Sequence, residues 1–245
     1  VNLDFKDPFN VERKKASKFV LRCLDLGNGL ALETKTAGLI NCAISKNLLN
    51  KQKIGVTEYL ASKSSLKNGS EVMLIKNEKL SVSPITTHIN IKDISRKIKE
   101  KLIINKVKTI DFWYKKKLKK KAKIAILGLN PHNAELRETS EERKIIIPAI
   151  NNLKKLGINI KGPLVSDTIF INDYKKFDVI VGMFHDQVLS PFKALFKFNA
   201  INITLGLKYL RVSPDHGVAK NIIGKNKADT TSLLQCINFI NKFGK

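Results

Sequence analysis

Lys123-Ile124-Ala125-Ile126-Leu127-Gly128-Leu129-Asn130-Pro131-His132 is the stretch that decides the fold: a short apolar run stops at a glycine and hands over to a polar turn. Asp178-Val179-Ile180-Val181-Gly182-Met183-Phe184-His185 repeats the plan. Short apolar runs closed in this way and separated by segments of helical period read as buried strands of an α/β fold, not of a sandwich or a bundle. Residues 38–44, 71–75 and 80–83 read as further strands. Behind Asn90, the apolar residues Ile91, Ile94, Ile98 and Leu102 fall at helical spacing and predict one continuous helix. Thr139-Ser140-Glu141-Glu142 has the form of a capping box, and the stripe Ile146, Ile150, Leu153 runs on to Gly157 as a C′ residue, with Pro148 expected to bend the helix locally. A last helix is expected over about 229–243, with Leu233, Cys236, Ile237 and Ile240 on one face.

The chain has 245 residues, 43% hydrophobic and 27% charged, which suits a folded globular protein with enough core to need no disulfides. Lys plus Arg number 45 against 21 Asp plus Glu, a formal charge of +24 that favours anionic partners: nucleic acid, an anionic membrane face or phosphorylated small molecules. Residues 115–123 concentrate lysines, but the excess is spread along the chain. No zinc-finger, RNP or basic-zipper pattern accompanies it, so the charge reads as surface composition and nucleic acid is not expected as a partner. Cys23, Cys42 and Cys236 form no C-x-x-C pair, which points to a reducing compartment. No apolar run approaches the ~20 residues of a membrane span, and a signal-peptide core is missing, so a cytoplasmic location without membrane partners is expected. Val1 is not an initiator methionine, and the opening residues read as mid-chain, so the sequence is expected to be a fragment or start-shifted.

The histidines carry the first chemical signal. His88, His132 and His185 each lie at or just past the C-terminal end of an expected strand, the sheet edge where ligands bind in open α/β folds. Three imidazoles there could hold a divalent metal and leave a coordination position open for substrate; taken singly, each would read as a hydrogen-bonded turn residue. Their spacing matches no local metal motif. His216, in Ser213-Pro214-Asp215-His216-Gly217, reads as a turn residue outside that set.

Five words occur in order: Gly128-Leu129-Asn130-Pro131-His132, Gly162-Pro163-Leu164-Val165-Ser166-Asp167-Thr168, Met183-Phe184-His185-Asp186-Gln187, Asn202-Ile203-Thr204-Leu205-Gly206-Leu207 and Arg211-Val212-Ser213-Pro214-Asp215-His216-Gly217. Together they closely resemble the 4-hydroxythreonine-4-phosphate dehydrogenase family of pyridoxal phosphate (vitamin B6) biosynthesis. The resemblance implies a two-domain α/β fold similar to isocitrate and isopropylmalate dehydrogenases, with the active site in the interdomain cleft of a homodimer that shares its sites. On that pattern residues 1–50 plus 212–245 form a remnant of the first domain, and 51–211 form the second. It also implies NAD and a divalent metal, zinc first, magnesium or cobalt as alternatives.

Carried across by motif, the family's metal ligands fall on His88, His132 and His185. Its substrate contacts fall on Thr57, Lys193, Asn202 and Arg211, whose charges and amide suit a phosphorylated hydroxy amino acid. Asp167 and Asp186 are candidate acid/base groups, or structural turn aspartates. The expected reaction is NAD-dependent oxidation, with decarboxylation, of 4-phosphooxy-L-threonine. The alternatives are another phosphorylated hydroxy acid, a catalytically impaired remnant and, last, a nucleic-acid binder. The remnant reading comes from the departures. The family's Gly-rich opening segment is missing, its G-H-T-E word carries Val56, the glycines after N-P-H are replaced by Asn133-Ala134-Glu135-Leu136-Arg137, and Val188 follows H-D-Q.

Overall fold

The structure is a computed structural model that describes residues 12–33, 36–49, 55–64 and 71–244. Eight strands, β1 (Leu39–Ile40), β2 (Val72–Lys76), β3 (Ser81–Pro84), β4 (Ile124–Leu127), β5 (Ile160–Leu164), β6 (Val179–Gly182), β7 (Ile201–Leu205) and β8 (Arg211–Pro214), form one sheet in the order β1-β8-β7-β2-β3-β6-β4-β5. β3, β6, β4 and β5 are parallel, as are β1 and β8, while the β8–β7, β7–β2 and β2–β3 pairs are antiparallel. The helices are α1 (Arg13–Leu32), α2 (Val56–Lys63), α3 (Ile94–Lys97), α4 (Glu100–Lys117), α5 (Ile147–Lys155), α6 (Ser166–Ile169), α7 (His185–Phe196) and α8 (Thr231–Phe243). No helix among the described residues is long and apolar enough to cross a membrane.

Strand alternation divides the core. Val72 and Leu74, Ile124 and Ile126, Val179 and Val181, Ile201 and Ile203, and Val212 face one side, where Ile103, Val107 and Ile110 of α4, Ile150 and Leu153 of α5, and Cys236 and Ile240 of α8 cover them. Ile75, Val82, Ala125, Leu127 and Ile180 face the other, under Val188, Leu189 and Phe192 of α7. A separate cluster of Leu24, Leu49, Tyr59 and Leu60 joins α1 to α2. α7 packs over β3 and β6. On the same side, β7 and β8 carry polar residues: Asn202 stands opposite Ser213, and Thr204 opposite Arg211. Those positions alternate with the apolar set, so the sheet is amphipathic only at this end.

Several expectations need correction. The helix predicted behind Asn90 is broken: Ile98 adopts an extended conformation (φ −69°, ψ 124°), is fully buried, and separates α3 from α4. Burial of that side chain overrides local helical preference. Ile91 is 81% exposed and belongs to no core stripe. β1 is shorter than expected. Pro148 follows a single widened turn, Glu142–Ile146. α8 buries Ser232, Cys236 and Ile240, while Ile237 faces outward. Gly157 does close α5 in the left-handed region, at φ 74°.

The β4–β5 ladder slips between Ala125 and Leu127, and Gly162 sits at the slip. A Cβ there would lie 2.4 Å from the Ile126 carbonyl oxygen. Gly162→Ala is therefore expected to destabilise the fold by about 1–3 kcal/mol, the usual cost of overpacking, read as a lower urea midpoint. An unchanged midpoint would mean that the two strands separate freely at this point.

Candidate active site

The site is built on the polar end of the sheet. Arg211 is 2% exposed; its Nε donates to Asn41 Oδ1 at 2.8 Å and its Nη1 to Thr204 Oγ1 at 2.9 Å. Burial lowers its pKa to about 10, so the guanidinium stays cationic at neutral pH. Among the described residues no carboxylate pairs with it. Glu58 acts on it only at a distance, so no carboxylate bonds to the buried cation, and the donors left over suit an anion. On the neighbouring strand, Asn202 Oδ1 is buried with no hydrogen-bond partner among the described residues, an acceptor that suits a hydroxyl or amine.

Lys193, on α7, is committed differently. Its Nζ donates to the Asp215 carbonyl at 3.0 Å and pairs with Asp215 Oδ2 at 3.2 Å. Asp215 is itself buried, which raises its carboxyl above the usual range against the pull of Lys193. Lys193 thus has a carboxylate in direct contact, and Arg211 has none among the described residues.

At the adjoining edge, three strand ends are laced together. Ile85 N donates to the Gly182 carbonyl, and both the amide and Oγ1 of Thr86 donate to that of Met183. Gln187 accepts from Met183 N through Oε1 at 2.6 Å and donates from Nε2 to the Gly128 carbonyl at 2.7 Å. This brings the His88 and His185 rings to a centroid separation of 5.5 Å. His88 also lies 3.8 Å from Glu58 Oε1, on α2, and that contact lowers the Glu58 carboxyl despite its burial. Thr57 occupies the same first turn of α2.

His132 stands apart. The chain from His132 to Leu136 runs through five consecutive left-handed residues (φ 46–56°), at a cost of about 1–2 kcal/mol for each non-glycine residue. It leaves His132 exposed, 3.8 Å from Asp167. Among the described residues no group of three His, Cys, Asp or Glu side chains is close enough to hold a metal. Two of the three expected ligands meet within this chain, and the third does not join them. Asp186 Oδ1 lies 2.6 Å from His185 Nδ1. Both candidate acid/base aspartates therefore sit against a histidine, Asp167 at 3.8 Å and Asp186 at 2.6 Å.

Sequence reading passed over Glu58, Asn41, Thr204, Gln187 and Glu142. The period-2 polar pattern Asn202, Thr204 and Arg211, Ser213 inside two otherwise apolar strands was the available signal for Thr204. A further opening of about 810 Å³ lies beyond β8, lined by Cys42, Ala43, His216, Val218, Ile222 and Asp229, among others.

The chain matches the family model described as "Pyridoxal phosphate biosynthetic protein PdxA" over residues 2–240. It is 42% identical over 243 residues to a 4-hydroxythreonine-4-phosphate dehydrogenase of Sulfurihydrogenibium sp., covering 97% of this chain and 74% of the relative. A relative from Oceanobacillus iheyensis, provisionally named a D-threonate 4-phosphate dehydrogenase, is 35% identical over 85% of this chain and 64% of its own length. The crystal structure of the Klebsiella pneumoniae 4-hydroxythreonine-4-phosphate dehydrogenase superposes with a TM-score of 0.83 at 29% identity, covering all of this chain and 77% of that one.

Proposed function

The chain belongs to the pyridoxal phosphate biosynthetic protein PdxA family, and from that premise we propose that it oxidises 4-phosphooxy-L-threonine with NAD. One observation carries the reading: on a single sheet face, two residues apart along the β7–β8 ladder, stand a buried arginine and a buried amide oxygen for which the described residues supply no carboxylate and no hydrogen-bond partner, respectively. A ligand that satisfies both needs an anionic group and, on the same side, a hydroxyl or amine. A phosphorylated hydroxy amino acid has each.

In this reading Arg211 grips the anionic end with its remaining donors, and Asn202 accepts from the hydroxyl or amine. Thr57, at the start of α2, adds a hydroxyl contact. The Lys193–Asp215 pair borders the site and supplies a neutral boundary. The substrate's carbinol carbon gives up a hydride and its hydroxyl a proton; the β-keto acid so formed loses carbon dioxide.

Of zinc, cobalt and magnesium, imidazole donors suit the first two, zinc best, while magnesium prefers oxygen ligands. His88 and His185, with ring centroids 5.5 Å apart, would share one, and His132 would complete the set across a homodimer contact. When bound, such a metal lowers the pKa of the substrate hydroxyl. NAD, the hydride acceptor, fits the opening beyond β8, which has the size of a cofactor site and polar groups at His216 and Asp229.

A second reading, favoured by the relative named for D-threonate 4-phosphate, keeps the site and exchanges the amine for a hydroxyl. Asn202 Oδ1 would accept from either. The test is NADH formation by the purified protein on each compound, with zinc, magnesium or cobalt supplied. Turnover on neither, with binding still measurable by calorimetry, would leave a catalytically impaired member of the family.

A further inference from the structure

We propose that Glu142 is a positioning residue for His132, its buried carboxylate fixing the turn from which the histidine loop departs. The inference rests on His132 being a site residue. Glu142 is fully buried, and its Oε1 accepts the backbone amides of Leu129 at 2.7 Å and Asn130 at 2.8 Å. Its Oε2 accepts from Asn130 Nδ2 at 3.0 Å, and the same amide nitrogen donates to Glu141 Oε2 at 2.9 Å. No lysine or arginine pairs with Glu142 among the described residues. A buried carboxylate needs hydrogen bonds, and every donor here comes from the residues immediately before Pro131-His132.

The loop needs such an anchor. Asn130 is extended (φ −93°, ψ 155°), and two residues later the left-handed run begins, without a glycine to ease it. The run folds back on Gly128, where a Cβ would meet Asn133 Oδ1 at 2.1 Å and Glu142 Oε1 at 3.1 Å. Asn133 N in turn donates to the Asn130 carbonyl at 3.1 Å. The strained segment thus closes on Gly128 and Asn130, the residues that flank and share the turn Glu142 holds.

A helix-capping role does not explain this carboxylate. In a capping box it would reach back to a backbone amide at its own helix start. Ser140 takes the capping position instead, its Oγ accepting Arg143 N at 3.2 Å, and Glu142 turns to the loop across the gap between β4 and its helix.

The test uses the full chain with nitrogen-labelled imidazoles, since four histidines give separable ring signals. Glu142→Gln keeps the shape but turns a donor toward donors. It is expected to shift or broaden the His132 ring signal and leave His216 unmoved. Cobalt(II) alone, titrated into the protein, is expected to bind about 10- to 100-fold more weakly, the range for loss of a group that orients a ligand. Ile150→Val, which loosens α5 without touching the loop, should leave both readouts alone. An unmoved His132 signal in folded Glu142→Gln overturns the proposal, and so does an equal movement in Ile150→Val. A shifted His132 with unchanged cobalt affinity upholds the positioning role and fails the metal reading of His132. Should Glu142→Gln not fold, Asn130→Ala, which removes the side-chain contacts to Glu142 and Glu141 and keeps the two backbone ones, must move the same signal in the same direction; if it does not, the proposal falls.

Discussion

Arg211→Lys is expected to lower kcat/KM on the phosphorylated substrate by about 10- to 150-fold, which is what one charge-assisted contact of roughly 1.5–3 kcal/mol supplies. Lysine keeps the charge but not the planar fork, so it cannot hold Asn41, Thr204 and an anion at once. Because Arg211 is buried, the substitution also touches the fold, and the unfolding midpoint has to be read beside the kinetics. Thr204→Val is the control: it removes one of the two internal contacts and leaves the guanidinium in place. A rate loss in Arg211→Lys well beyond that of Thr204→Val, at comparable midpoints, assigns the arginine to the ligand. Equal losses in rate and stability for both variants would make it a structural cation. Lys193→Ala should act mainly on stability, because it strands the buried Asp215 carboxylate that Lys193 now faces.

What could be read from the sequence was what is local. The runs at 124–127 and 179–182 are apolar on both sides because helices cover both faces, and a run of that kind ended by glycine identifies a central strand on its own. The polar alternation at Asn202, Thr204, Arg211 and Ser213 was equally local, and its meaning follows once the two strands are known to be paired. Non-local facts stayed hidden. Arg211 meets Asn41 across 170 residues of chain, and Gln187 reaches the end of β4 across 59. No spacing rule encodes such contacts. Glu142 misled for a different reason: Ser/Thr-x-x-Glu is a sound helix-start signal, but the carboxylate had a stronger demand on it from two unpaired amides next door. His132 was placed correctly at a strand end, yet position along the chain says nothing about a left-handed turn, whose strain only the surrounding contacts can hold.

The largest effect is expected at His185. On the three-histidine proposal, His185→Ala removes the imidazole that stands beside His88 and is oriented by Asp186. Activity should fall on the order of 10³-fold, since Lewis-acid assistance is worth several kcal/mol. Bound zinc should fall with it, and likewise in His88→Ala and His132→Ala. His216→Ala should retain the metal; loss there, with retention in His88→Ala, would reassign the third ligand. Retention in all three variants would end the metal reading altogether. Since His132 does not join the other two within one chain, a shared site makes a sharper demand. In a symmetric dimer whose sites take His132 from one copy and His185 from the other, a mixed dimer of His132→Ala and His185→Ala subunits has one site with both histidines intact and one with neither. Random assembly of two inactive variants should then recover about one quarter of the wild-type activity, half of the dimers being mixed with one working site each. Purified homodimers of either variant, mixed without subunit exchange, should recover nothing. Failure of the co-assembled protein to recover activity would show that His132 and His185 act from the same chain, through a movement of the 131–136 loop that closes the site on itself.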